Sequence, residues 1–242
     1  LCYSELTSVS KGSFASSLHG GIWYFKAAAL AELGFIVVMI DGRGTPYREK
    51  SFSDASYGWN PLVNYSHDRI AGINQLAKKH PYIDLSRVGS MSFEALIGTV
   101  YDLLQHPDFY HVGVSHGFSD PQLVSTIHGE YFEGLNPHKE THERAEDIAA
   151  NLQGKLLLMH GMIDAMSHPA GTFRLIEALQ KANKDFDMLL LPNEGVDGGA
   201  GGHLDANYAF RRTWDYFVQH LQGVEPPKEF RLTASNDIVL SE

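Results

Sequence analysis

Three side chains suited to acyl transfer occur in one order along the chain: Ser92 in "RVGSMSF", Asp164 in "KLLLMHGMID" and His203 in "GVDGGAGGH". A serine hydroxyl is a weak nucleophile until an imidazole takes its proton, and the imidazole needs a carboxylate to hold it in the productive tautomer. Each residue alone says little, because the chain has 13 histidines and 29 acidic residues. What adds weight is position, since all three follow apolar runs that read as strands.

Those strands alternate with helices. "GFIVVMI" (Gly34 to Ile40) reads as a buried strand, and the glycines and proline of "DGRGTP" stop it. "HDRIAGINQLAKKH" places Ile70, Ile73, Leu76 and Ala77 on one helical face, and "DLSRVGSM" reads as the next strand. A helix through "ALIGTVYDLLQ", strands at "HVGVSHG" and "KLLLMHG", a helix at "GTFRLIEALQKANK", a strand at "FDMLLLP" and a closing helix at "NYAFRRTWDYFVQHL" continue the pattern. It specifies an α/β fold, a mainly parallel sheet with helices on both faces and ligand sites beyond the carboxyl ends of its strands. Ser, Asp, His is also the chain order of the α/β-hydrolase triad.

The 242 residues fit a single domain. Phe118 to Glu146, rich in Gly, His, Pro and charge, reads either as a cap crossing the site or as a solvated loop, and residues 224–242 read as an extended tail. A net charge of −10 with scattered basic residues argues against a nucleic-acid surface. No apolar run approaches the roughly 18 residues of a membrane span, so a soluble protein is expected. Cys2, the single cysteine, has no internal disulfide partner, and no spacing suggests a metal site or a cofactor. The chain opens at Leu1 without a signal-peptide pattern, so a fragment or processed product is expected and the compartment stays open.

Several longer stretches carry a family resemblance: "LAELGFIVVMIDGRGTP", "YIDLSRVG", "LLQHPDFYHVGVS", "GKLLLMHGMIDAMSHPAGTFRLIEALQKANKDFDMLLLPNEG" and "RRTWDYFVQHLQGVEPP". Nearly the whole chain resembles the C-terminal catalytic domain of the prolyl oligopeptidase family of serine peptidases, in its dipeptidyl-peptidase IV and acylaminoacyl-peptidase branches. The resemblance implies cleavage of short peptides or small esters through an acyl-enzyme. It implies Asp164 as the triad aspartate and Tyr3 as an oxyanion-stabilising hydroxyl, beside the backbone amide of Phe93. It also implies an N-terminal propeller domain that lies outside this chain, and it leaves room for a homo-oligomer.

The same resemblance exposes departures. The family elbow is Gly-x-Ser-x-Gly, small residues letting the strained turn form, but Ser90 and Glu94 flank Ser92 here. Aligning on "MSF" makes Ser92 the nucleophile and needs a strand about two residues shorter, whereas aligning on "RVG" without a gap places Glu94 at the serine position. The family histidine position falls on Val196, and His203 takes its place only if "VDGGAGG" is an insertion. Glu5 and Leu6 replace the Gly and Pro that follow the tyrosine. Two readings therefore stand: an active serine hydrolase using Ser92, Asp164 and His203, and a hydrolase-fold module without catalysis that serves binding or structure. Among the other histidines, His106, His111 and His220 are expected on solvated surfaces, while His116, His160 and His168 lie near strand ends and could shape a pocket.

Overall fold

A computed structural model describes residues 2–4, 22–40, 43, 49–53, 61–95, 98–118, 143–165, 167–195, 206–230 and 232. Six strands form one sheet: β1 (Cys2–Ser4), β2 (Val38–Met39), β3 (Gly89–Ala95), β4 (Val112–Phe118), β5 (Lys155–Gly161) and β6 (Asp187–Leu191). The order is β2-β1-β3-β4-β5-β6 and every pairing is parallel. Parallel strands covered by helices on both faces are buried on both faces, which is why β4 is buried at every residue and β5 from Leu156 onward. From β1 the chain crosses to β2 on one side and then to β3 on the other, so the winding reverses between β1 and β3. A reversal of this kind is where open parallel sheets place ligand sites, beyond the carboxyl ends of the two strands, and here Ser4 pairs with Ser92.

The helices are α1 (Ile22–Glu32), α2 (Lys50–Ser53), α3 (Pro61–Lys79), α4 (Thr99–Gln105), α5 (Ala170–Lys181) and α6 (Ala206–Phe217), the last running on as a π turn over Val218–Gln222. Alternation along β5 divides the core. Leu156 and Leu158 join Ile73 of α3, Leu103 and Leu104 of α4, and Leu175 and Leu179 of α5 on one face. Leu157 and Met159 join Leu30 of α1, Met91 of β3, and Phe217 and Leu221 near the C-terminus of α6 on the other. Burying each such side chain contributes about 2 kcal/mol, so Leu158→Ala, at 0% exposure, removes about 2–5 kcal/mol. No helix among the described residues is long and apolar enough to cross a membrane.

The fold is the expected α/β class, with shifted boundaries. The regular part of the strand expected over Gly34 to Ile40 is Val38–Met39, after a backbone turn at Gly34 with φ 89°. The helix expected from Ala95 starts at Thr99, because β3 runs on through Ala95. β1 and α1, which the pattern reading left unassigned, supply the strand between β2 and β3 and part of one helix layer. Most of the expected cap excursion, residues 119–142, lies outside the described residues, but at its returning end Ala145 is buried among α4 and α5 residues. In the tail, residues 223–230 carry neither helix nor strand after Gly223 closes the π turn with φ 70°, and residues 231 and 233–242 lie outside the described set.

Candidate active site

Ser92 sits inside β3, paired with Ser4 of β1 on one side and Ser115 of β4 on the other. Its side chain is 6% exposed. Its Oγ accepts a long, 3.4 Å hydrogen bond from the Thr99 N–H, one of the first-turn amides of α4 that lack a carbonyl partner within the helix. No described histidine hydrogen-bonds this hydroxyl. The strand continues past it: Phe93 pairs with His116 and Ala95 with Phe118, so the Glu94 backbone is level with Gly117.

Asp164 lies at the carboxyl end of β5 and is 3% exposed. Its turn is fixed from several sides. Oδ1 accepts from Ser167 N–H at 2.8 Å, Asp164 N–H donates to Gly161 O at 3.2 Å, and Ile163 N–H donates to Glu194 O at 3.1 Å. Gly161 is there because the chain after β6 passes so close that a Cβ would lie 2.4 Å from both Glu194 O and Gly195 O. Oδ2 reaches over β4, 3.6 Å from the place a Cβ on Gly117 would take, and Gly117 itself has φ 69°, a conformation that favours glycine. The Asp164 carboxylate therefore stands at the level of Gly117 and Glu94. Ser92 lies two residues lower along β3, about 6–7 Å at a strand's rise per residue.

Of the other expected site residues, Tyr3 is in β1 paired with Met91 and Met39, and Phe93 is in β3, both known here by backbone position. His203, like Val196, lies outside the described residues.

The structure adds one polar cluster that no motif announced and builds a second on His160, a histidine expected near the site. Under β3, Asp102 of α4 is fully buried and receives three short hydrogen bonds, from Ser90 Oγ, Ser66 Oγ and Arg69 Nη2, each 2.6 Å. Ser90 also lies 3.2 Å from Thr99 Oγ1. The only sequence trace was a lone aspartate in the otherwise apolar "TVYDLL", with Ser66 and Arg69 one turn apart on α3. Beside Asp164, His160 is fully buried with Nδ1 2.7 Å from Thr172 Oγ1 and Nε2 2.7 Å from Ser167 O. Burial holds its pKa below the usual imidazole range, against the opposing pull of the Ser167 carbonyl and the Asp164 charge.

Three histidines expected in solvent are half-buried. His106 packs edge-on against His67 at 5.0 Å with its Nε2 out of solvent, His111 has a buried Nδ1, and His220 packs on Tyr216 at 4.4 Å. Each sits where a helix end or connection folds back onto the layer below, a placement that local polarity does not reveal. Of those expected near the site, His116 is buried and hydrogen-bonded to Thr213, while His168 is exposed. Among the described residues no group of three or more His, Cys, Asp or Glu is placed to hold a metal.

Comparison with known proteins gives the family. The sequence profile of the prolyl oligopeptidase family matches residues 23–224. Human dipeptidyl peptidase 8 is 28% identical over 187 residues, covering 72% of this chain and 20% of its own. Rat inactive dipeptidyl peptidase 10 is 28% identical over 167 residues, covering 66% and 21%. The chain thus spans about a fifth of the length of these relatives. Among solved structures, dipeptidyl peptidase 4 of Porphyromonas gingivalis superposes with a TM-score of 0.69 at 25% identity over 79% of this chain and 28% of its own. The acylaminoacyl peptidase of Pyrococcus horikoshii shares the fold, with a TM-score of 0.75 at 16% identity over 93% of this chain and 38% of its own. By its profile match and its sheet, the chain belongs to the prolyl oligopeptidase family.

Proposed function

We propose that this chain is a prolyl-oligopeptidase-family module that has given up serine-based acyl transfer and serves binding or structure. The observation that carries it is the register of β3. Acyl transfer needs a nucleophile at a sharp turn beyond the strand, exposed to substrate and level with the groups that activate it. Ser92 is in the body of the strand, buried and bonded to the start of α4, whereas the residue level with Asp164 is Glu94. This favours the ungapped alignment, in which a carboxylate stands where the family has serine. Negative charge there opposes the charge that develops on a tetrahedral intermediate, and loss of the nucleophile alone lowers the rate by about a million-fold in a serine protease.

The reading has a precedent among the relatives, one of which is named an inactive dipeptidyl peptidase. The propeller domain and homo-oligomer that the family resemblance implies belong to the same proposal, as partners of a module rather than of an enzyme. The test is fluorophosphonate labelling with mass mapping of the adduct, on the wild type and on Ser92→Ala, each shown to unfold cooperatively. The expected result is no adduct at position 92. An adduct on Ser92 that disappears in the variant overturns the proposal and establishes a serine hydrolase using Ser92, with Asp164 and His203 as the partners to test next.

A further inference from the structure

Hydrogen-bond accounting around His160 leaves a choice that only a proton can make. Nε2 faces Ser167 O at 2.7 Å, and a carbonyl only accepts, so Nε2 carries a hydrogen. Nδ1 faces Thr172 Oγ1 at 2.7 Å, and Thr172 Oγ1 in turn faces Phe118 O at 2.8 Å. Thr172 has one hydroxyl proton for these two neighbours. When the ring is neutral, that proton goes to Nδ1 and the bond to Phe118 O is lost. When Nδ1 is protonated, the ring donates to Thr172 and the hydroxyl turns to Phe118 O. The same heavy-atom positions serve both arrangements.

The bond to Ser167 O is common to both, and Ser167 N–H holds Asp164 Oδ1 at 2.8 Å, so the Asp164 turn is fixed in either state. The bond to Phe118 exists in only one. Phe118 ends β4, and its ring lies 6.5 Å from that of Tyr101, whose hydroxyl accepts from Ala145 N–H at 3.1 Å. Phe118, at the end of β4, and Ala145 thus both meet Tyr101.

We propose that His160 is a positioning residue that holds the Asp164 turn in both protonation states and fastens the end of β4, through Thr172, only when both ring nitrogens are protonated. The groups acting on the ring are the Asp164 carboxylate, which favours the cation, and His168 two residues before α5, which opposes it. Burial opposes it most, so the tie forms on acidification below the usual imidazole range. This inference goes beyond the proposed loss of acyl transfer and holds whichever residue occupies the nucleophile position.

The test is an imidazole ¹⁵N titration of the uniformly labelled chain, with hydrogen exchange of the peptide that ends β4. The expected spectrum is a neutral Nε2–H tautomer for His160 at high pH that becomes doubly protonated on acidification, at a midpoint below about 6.5. Over that range, exchange at the end of β4, relative to the same peptide in Thr172→Val, slows by about fivefold, the effect of one net hydrogen bond. A His160 ring that stays neutral at every pH at which the protein remains folded overturns the proposal, and needs no variant. So does Thr172→Val with an unchanged pH dependence of that exchange.

Discussion

Adding one methyl at Gly161 tests how the Asp164 turn is held. A Cβ there would lie 2.4 Å from Glu194 O and Gly195 O, whereas ordinary contact begins at 3.4 Å, so backbone on one side must move by about 1 Å. Overpacking of this kind costs about 1–3 kcal/mol. The movement also strains the bonds of Met162 N–H to Leu191 O at 3.0 Å and Ile163 N–H to Glu194 O at 3.1 Å, each contributing about 1 kcal/mol net. Gly161→Ala is therefore expected to lose about 3 kcal/mol, lowering a urea midpoint by about 1 M at an m-value of about 3 kcal/mol/M. Two other glycines calibrate the argument. At Gly113 the added methyl meets side-chain ends, Thr99 Cγ2 at 2.5 Å and Leu103 Cδ1 at 2.7 Å, for an expected loss of about 1–2 kcal/mol. At Gly72, inside α3, it meets only Ile40 Cδ1 at 2.7 Å while helix propensity gains up to about 1 kcal/mol, so Gly72→Ala is expected within about 0.5 kcal/mol of wild type. If the three variants unfold at one midpoint, close backbone approach does not hold this turn and the reasoning fails.

Three further outcomes are expected. Arg69→Met leaves Asp102 buried without its cation and lowers stability by about 3–5 kcal/mol, while Arg69→Met with Asp102→Leu recovers most of that loss; a double variant as unstable as the single one would contradict this in urea unfolding. His106, His160 and His220 all have pKa values lowered chiefly by burial, so the unfolded chain takes up protons first and stability falls as pH drops through about 6.5. The urea midpoint at pH 5 should lie below that at pH 7.5, with a smaller gap in His106→Gln, and equal midpoints would refute it. Tyr216→Phe removes the 2.9 Å bond to Asp187 Oδ2 and is expected to cost about 1 kcal/mol, read as a lower thermal midpoint.

The fold was legible because its signals are periodic. "HVGVSHG" and "KLLLMHG" are apolar over a strand's length, "GTFRLIEALQKANK" repeats every three to four residues, and the structure has β4, β5 and α5 where those signals fall. The site was legible in part. Asp164 follows an unmistakable strand, so its place was readable. How far β3 runs before α4 begins was not, because "SFEALIG" suits a strand end and a helix start about equally well, and a slip of two residues exchanges Ser92 for Glu94. The buried Arg69–Asp102 pair was hidden for another reason: polar residues on a helix read as solvent-facing until the packing partner is known.

That pair also bears on how the chain could change. A Gly-x-Ser-x-Gly elbow centred on Ser92 would place glycine at position 90, yet Ser90 Oγ is one of three donors to a fully buried Asp102 carboxylate. Exchanging it for glycine leaves that carboxylate a donor short in a low-dielectric interior, before any turn has formed. An elbow centred on residue 94 leaves Ser90 untouched but needs Ser92, Glu94 and Leu96 replaced together, since no one of these substitutions restores the motif alone. Single mutational steps toward a serine elbow are therefore either destabilising or without benefit. The interior polar cluster thus couples the stability of the α3–α4 layer to the residue at position 90, so that the sequence of β3 is held in place from beneath the sheet.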